Sequence, residues 1–257
     1  MGDEAQYATY PTLRDRVVIV TGGASGIGEA IVHAFAGQGA RVFFLDIQDE
    51  PAALLIERSR SSRHIPVYHR CDLTNIDALR QTIADIVRRT GTIDVLVNNA
   101  GNDTRHAIQD VTQELWDFTM AVNLRHQFFA AQAVLPAMQA RGQGSIINMS
   151  SIGWVIPSIS QSVYVTAKAA VVGMTRTLAH EVGKYNIRVN AVMPGAILTE
   201  RQKRLWLTEA YTAEVLQNQA LKRMIMPEEV ARLVLFLAAD DSSAITSQSY
   251  VIDAGWV

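Results

Sequence analysis

Tyr164 and Lys168 stand four residues apart in a stretch of helical pattern, so their side chains share one face. A phenol ionises near pH 10 and is a poor base at neutral pH, but a neighbouring ammonium favours its ionised form. Bringing the phenol close to working pH takes about 3–4 kcal/mol, and the pair then suits general-base chemistry. Tyr-x-x-x-Lys alone is a weak pattern, because surface helices produce it by chance. Its neighbours give it weight. Ser151 lies thirteen residues upstream, just past an apolar run, where a hydroxyl can hold a substrate oxygen while Tyr164 takes its proton. Ser150 beside it competes for that role. Asn98-Asn99-Ala100-Gly101 closes another apolar run; its amides suit hydrogen bonds across strand ends and its glycine suits close approach of a ligand. Asn123 is a lone polar residue between Val122 and Leu124. It either holds a water in a proton relay to Lys168 or is a satisfied core amide.

The elements that must position these groups follow from the hydrophobic pattern. Short β-branched runs at 17–20, 42–45, 67–68, 95–97, 146–149, 189–192 and 250–252 read as seven strands. Helical patterns at 27–38, 76–89, 113–140, 163–185 and 227–239 separate most of them. Such alternation predicts an α/β Rossmann-type fold, a doubly wound parallel sheet with helices on both faces. The strands read as continuous apolar runs because a parallel sheet is buried on both sides. With 257 residues and no Pro/Gly/Ser-rich linker, one domain over 1–257 is expected, with 1–12 as an N-terminal arm and about 199–218 as a substrate lid.

The first strand runs into Thr21-Gly22-Gly23-Ala24-Ser25-Gly26-Ile27-Gly28, and a helical pattern follows at once. A tight glycine turn lets the backbone approach a pyrophosphate, and the helix start offers free N–H groups. Gly22, Ser25, Gly26, Ile27 and Gly28 are therefore expected against a dinucleotide. Asp46 ends the second strand, eighteen residues after Gly28. A carboxylate there accepts ribose hydroxyls and repels a 2′-phosphate; apolar Ile47 follows it, and NAD rather than NADP is predicted. Asp72, next to Leu73, ends the third strand. It suits the adenine amino group, or a turn of N-cap type before the next helix.

Composition excludes other classes. Formal net charge is −2 without long runs of one sign, so neither nucleic acid nor an anionic membrane is an expected partner. No apolar run approaches a membrane span, and 1–15 carries no signal-peptide pattern; a cytoplasmic protein is expected. The one cysteine, Cys71, reads as a small buried residue, and no metal is expected.

Taken together, Thr21-Gly-x-x-x-Gly26-x-Gly28, Asp72, Asn98-Asn-Ala-Gly101, Asn123, Ser151, Tyr164-x-x-x-Lys168 and Pro194-Gly195 with Thr199 resemble the short-chain dehydrogenase/reductase family, over about residues 13–257. The resemblance implies a catalytic tetrad of Asn123, Ser151, Tyr164 and Lys168. It also implies cofactor contacts at Asn99, Ala100, Gly101, Tyr164 and Lys168, nicotinamide contacts along Pro194, Gly195, Ile197 and Thr199, and a homotetramer. The long patterns at 113–140 and 163–185 carry more apolar surface than one sheet face needs, in line with assembly.

For the substrate, Asn102-Asp103-Thr104-Arg105-His106 is wholly polar and expected at the site mouth, which suits a polyhydroxylated small molecule. The alternative is a solvated loop with an Asp103–Arg105 pair. Trp154 can pack on a sugar's C–H face or fill a gap. The segment 200–218, with Arg201, Trp206 and Tyr211, reads as a helical lid. Asn102, Asp103, His106, Ser151, Trp154, Tyr164 and Arg201 are the expected substrate contacts. The run Asn98-Asn-Ala-Gly-Asn-Asp-x-Arg-His106, with Cys71-Asp-Leu73, Asn123-Leu-Arg-His126 and Ile252-Asp-Ala-Gly-Trp256, is similar to bacterial D-xylose 1-dehydrogenases of that family. This implies oxidation of an aldose at its anomeric carbon. A polyol dehydrogenase or keto-reductase on the same machinery is the nearest rival, and a non-catalytic NAD-binding protein is a rival of another class.

Overall fold

Seven short β-branched segments form one parallel sheet, in the order β3-β2-β1-β4-β5-β6-β7. The computed structural model describes residues 7–206 and 208–257. The strands are β1 (Val17–Thr21), β2 (Arg41–Asp46), β3 (Val67–Arg70), β4 (Val95–Asn98), β5 (Gly144–Met149), β6 (Ile187–Pro194) and β7 (Ser249–Ile252). β1, β4 and β5 are buried along their whole length, as strands covered on both faces must be. Helices α1 (Gly26–Gly37), α2 (Asp49–Arg58), α3 (Ile76–Thr90), α4 (Gln113–Met120), α5 (His126–Arg141), α6 (Ser162–Val182), α7 (Glu200–Leu205), α8 (Glu209–Asn218) and α9 (Pro227–Ala238) complete the chain. Apolar residues of α1, α2 and α9 form one core on one side of the sheet. Those of α3, α5 and α6 form a second core on the other.

Three departures from the sequence expectation have local causes. The pattern at 113–140 is not one helix: α4 passes into a π-helical turn at Ala121–Arg125 before α5 begins. The segment 200–218 is two helices, with Trp206 ending the first. Helix α2 was not expected; it is short, charged at both ends and buries only Ala52 and Leu55. Of the expected arm, 1–6 lie outside the described residues. Tyr10 N–H donates to Gln38 Oε1 at 2.7 Å, which ties the following stretch to the body.

The chain builds β1, β2 and β3 outward in one direction, then returns to place β4 on the other side of β1. At such a reversal the crossover loops part and leave a crevice beyond the strand ends. Thr21 and Asn98 are register partners there. The Thr21 hydroxyl accepts from the Asn99 and Ala100 N–H groups at 3.0 and 3.2 Å, fixing the start of the Asn99–Gly101 segment.

Candidate active site

The glycine loop lies at this crevice, and at three of its four glycines an added Cβ would come within 3.0 Å of a neighbour. Gly22 has φ +64°, a left-handed conformation that favours glycine, and a Cβ there would meet the Ala100 backbone at 2.7 Å. A Cβ at Gly28 would lie 1.8 Å from the Gly22 carbonyl oxygen. Asn99 Nδ2 donates to the carbonyls of Thr21 and Gly22 at 3.1 and 2.9 Å, which ties the loop to the Asn99–Gly101 segment. No side chain caps α1, which leaves its first turn open to an anion. Exposed Ser25 and half-buried Ile27 flank that turn.

Asp46 is buried, and its carboxylate is aimed by the backbone. It accepts from Ala24 N–H at 2.9 Å and from Ile47 and Gln48 N–H at 2.7 and 3.1 Å. Ile47 is exposed beside it. A basic residue does stand nearby: Arg70, its strand partner, donates to the Ile47 carbonyl at 3.0 Å. Asp49 pairs with that guanidinium. Asp72 is not the helix cap: Asn75 caps α3, accepting from Ala78 N–H at 3.0 Å. Asp72 instead closes a tight turn onto the Thr74 N–H and hydroxyl at 2.9 and 2.8 Å, and Leu73 beside it is buried.

Tyr164 and Lys168 share a face of α6. Lys168 is buried, and its Nζ sits 5.6 Å from the Tyr164 ring centre and donates to the Met149 carbonyl at 2.9 Å. The structure separates the two serines. Ser150 is buried and donates to the Lys168 carbonyl at 2.7 Å, so it serves the helix. Ser151 stands beside the Tyr164 hydroxyl and accepts from Gly153 N–H at 3.0 Å. Gly101 completes the cluster, for a Cβ there would stand 3.0 Å from Asn123 Oδ1 and 3.3 Å from Lys168 Nζ.

Asn123 is a satisfied core amide. Its Oδ1 accepts from Asn102 N–H at 2.9 Å, and its Nδ2 donates to the carbonyls of Asn102 and Thr119 at 3.0 Å each. It therefore clamps the start of the polar loop to the π turn, a feature that recurs at functional sites.

Electrostatics correct one expectation. The spacing alone leads to the expectation that Lys168 lowers the pKa of Tyr164. Burial raises it above the ordinary phenol value, the negative charge of Asp103 raises it further, and only the Ser151 hydrogen bond lowers it. Burial also brings Lys168 down to about 8, against a raising influence from Asp103. The phenol thus keeps its proton until a further positive charge enters, while Lys168 stays cationic at neutral pH.

The polar loop is only partly solvated, with Thr104 and Arg105 exposed and Asn102, Asp103 and His106 half-buried, and Asp103 does not pair with Arg105. Asp103 accepts from Arg201 Nε at 3.1 Å and from Gln202 Nε2 at 2.7 Å, both on α7. Arg201 also donates to Asn102 Oδ1 and Thr104 Oγ1 at 3.3 and 3.2 Å. Arg105 lies over Trp206 and Tyr211, with its guanidinium carbon 4.5 and 5.6 Å from their ring centres. His106 donates its N–H to the Ser160 carbonyl at 2.7 Å, and Trp154 is exposed. Among the residues expected near the nicotinamide, Gly195 N–H donates to Ile252 at 3.0 Å just past Pro194, and Ile197 is buried. Thr199 caps α7, and its methyl carbon would lie 3.3 Å from a Cβ at Gly26. Gln202 and Gln127 were missed. The spacing of Gln127 four residues past Asn123, on the same helical face, was the available signal.

Buried His126, at the start of α5, carries a further consequence. Burial, and then the Lys168 charge, bring it down to about 3. The folded state holds it neutral, whereas an unfolded chain protonates it near pH 6.5. Its contribution is complete above pH 6.5 and is lost as pH falls from there to about 3, by up to about 1.4 kcal/mol per pH unit. Urea melts from pH 7 to 4 should show this decline, with His126→Leu flattening it. Parallel curves for the two proteins would refute it.

This fold and this cluster define a nicotinamide-dependent oxidoreductase, and the chain belongs to the short-chain dehydrogenase/reductase family. A family profile described as Enoyl-(Acyl carrier protein) reductase matches residues 22–257. The chain is 49% identical over 247 residues to a Rhizobium meliloti protein described as "probable galactose dehydrogenase", covering 96% of each chain. It is also 49% identical over 249 residues to D-xylose 1-dehydrogenase of Caulobacter vibrioides, covering 97% of this chain and 98% of that one. A short-chain type dehydrogenase/reductase from Mycobacterium ulcerans superposes with a TM-score of 0.91 at 25% identity, over 97% of this chain and 91% of that one.

Proposed function

We propose that the protein oxidises a D-xylose-like aldose at its anomeric carbon to the aldonolactone, with NAD as cofactor and Tyr164 as general base. The observation that carries this reading is the polar loop Asn102–Arg105, held beside Ser151, Tyr164 and Lys168 by Asn123 and Arg201. It gives a substrate pocket edged with hydrogen-bonding groups rather than apolar ones. The two sugar dehydrogenases at 49% identity support the same substrate class.

The residues present fit NAD. The turn at Gly22–Gly28, where a Cβ at Gly22 or Gly28 would clash with backbone, would take the pyrophosphate, and Asp46 would take the adenosine ribose. Asp72 and Leu73 would border the adenine, and Pro194–Thr199 the nicotinamide. When bound, the cofactor supplies the hydride acceptor and a positive ring. Ser151 and Tyr164 hold the anomeric hydroxyl, and Tyr164 takes its proton. Lys168, fixed on Met149, keeps a cation against the forming phenolate. Asn102, Asp103, His106, Trp154 and Arg201 contact the sugar, with α7 and α8 as the lid. Asp46 disfavours a 2′-phosphate, and Arg70 does not reverse this because Asp49 neutralises it. Exposed Trp116, Phe118 and Phe128 on α4 and α5 support a homotetramer.

A panel of aldoses and polyols with NAD and NADP, followed by reduced-cofactor absorbance, tests the assignment. Turnover of an aldose with a higher kcat/KM for NAD is expected. Activity on xylitol or sorbitol but on no aldose would contradict the substrate, and preference for NADP would contradict the cofactor.

A further inference from the structure

Gln127 is a fully buried amide on α5, one turn past Asn123, that the mechanism above does not use. Its Nε2 donates to the Asn123 carbonyl at 3.1 Å and to the Met149 carbonyl at 3.3 Å. That same Met149 carbonyl is the acceptor for Lys168 Nζ at 2.9 Å. The Gln127 backbone carbonyl in turn accepts from Asn98 Nδ2 at 3.1 Å, and Asn98 Nδ2 also donates to Asn148 Oδ1 at 2.9 Å. Asn148 donates to the Thr175 hydroxyl on α6 at 2.9 Å. A chain of buried amides thus runs from the centre of the sheet to the helix that carries Tyr164 and Lys168. Gln127 is the point where it reaches the lysine's acceptor.

A carbonyl with two donors has its direction fixed, because each occupies one lone pair. Gln127 Oε1 accepts from no protein group among the described residues, so only its donor is in use. A half-satisfied buried amide adds little stability over an apolar side chain of equal length. Its N–H group is therefore best explained by what it aims.

We propose that Gln127 is a positioning residue: by holding the Met149 and Asn123 carbonyls together, it fixes where the Lys168 ammonium sits beside Tyr164. This rests on the reading of Tyr164 as base. The charged and titratable groups that bear on Lys168 are Asp103 from the polar loop, His126 on α5 and Tyr164 on α6. None of them bonds the Met149 carbonyl, so Gln127 acts separately from their charges. Without it, the carbonyl turns, the buried ammonium loses its acceptor, and the cationic form of Lys168 becomes less favourable.

Gln127→Met keeps the length and removes the donor. The test compares kcat from pH 6 to 10 with saturating NAD and the best aldose of the panel. The rising limb is expected to move up by about one pH unit, lowering kcat about tenfold on its acid side. At pH 10 kcat should return to within about twofold of wild type, with KM for NAD unchanged to the same degree. A packing role would lower kcat by one factor at every pH; that result, or an unmoved profile, overturns the proposal. Gln127→Leu replaces the methionine variant should that one not fold, and failure of both to fold makes Gln127 a folding residue and overturns it equally. A wild type without a rising limb contradicts the base assignment itself. A wild-type limb that the variant leaves in place contradicts only the role of Gln127.

Discussion

Tyr164→Phe is expected to lower kcat by about 10²- to 10⁴-fold while NAD affinity stays within about twofold. The substitution removes one oxygen and keeps the ring that packs beneath Lys168 Nζ. Lys168 remains anchored on Met149, and Ser151 still accepts from Gly153 N–H, so the surrounding frame has no reason to move. What is lost is the proposed base, the hydroxyl that would take a proton from a substrate held by Ser151. Burial and Asp103 both hold that proton on Tyr164 in the free protein, so ionisation is tied to the positive charge that arrives with the oxidised cofactor. Steady-state kinetics give the first quantity and NADH fluorescence the second. Retained turnover would remove Tyr164 from its role, and lost NADH binding would make it a cofactor contact before anything else.

Gly28→Ala is expected to destabilise the protein by about 2–4 kcal/mol and to weaken NAD binding more than about tenfold. The added Cβ would meet the Gly22 carbonyl oxygen at 1.8 Å and Asn99 Nδ2 at 2.6 Å. Neither can yield cheaply. One is backbone in a left-handed turn, and the other is the amide that ties this carbonyl and that of Thr21 together. Opening the loop therefore breaks the junction of β1, α1 and the Asn99–Gly101 segment at once. Gly37→Ala in the same helix is the control, because nothing lies within 4 Å of its Cβ position. There alanine should stabilise by about 0.5–1 kcal/mol. Equal melting temperatures and NAD affinities for Gly28→Ala and wild type would show that the loop is not held as described.

The central strands were legible because each is an apolar, β-branched run buried on both faces, whereas the edge strands β3 and β7, partly exposed, were legible from their place in the strand–helix alternation. The glycine loop was legible because its spacing is forced by close backbone contacts that admit no side chain. Helix α2 was not, since the polar stretch Asp49-Glu50-Pro51 opens it and only two residues reach the core. The π turn at Ala121–Arg125 leaves no mark either, for one extra residue in a helical turn barely disturbs the apolar period. Ser151 could be told from Ser150 only when the end of β5 fixed which hydroxyl is taken up by the Lys168 carbonyl and which is left beside Tyr164. Asp103 pairs with Arg201, 98 positions away, rather than with Arg105, its near neighbour. Sequence proximity favoured the wrong cation because the loop and α7 meet only in the fold. The acidity of Tyr164 was misjudged for a related reason: spacing on a helix reveals the neighbouring charge but not the depth of burial, which dominates.

On the proposed mechanism, C1 of an aldose loses a hydride as Tyr164 takes the hydroxyl proton. D-xylose deuterated at C1 tests it most directly, measured with saturating NAD against unlabelled sugar and against sugar labelled at C2. The account predicts deuterium in the reduced cofactor from the C1-labelled sugar, a slower kcat/KM for it alone, and the lactone as product. Deuterium transferred from C2, or a reduced cofactor without label from C1, would contradict it.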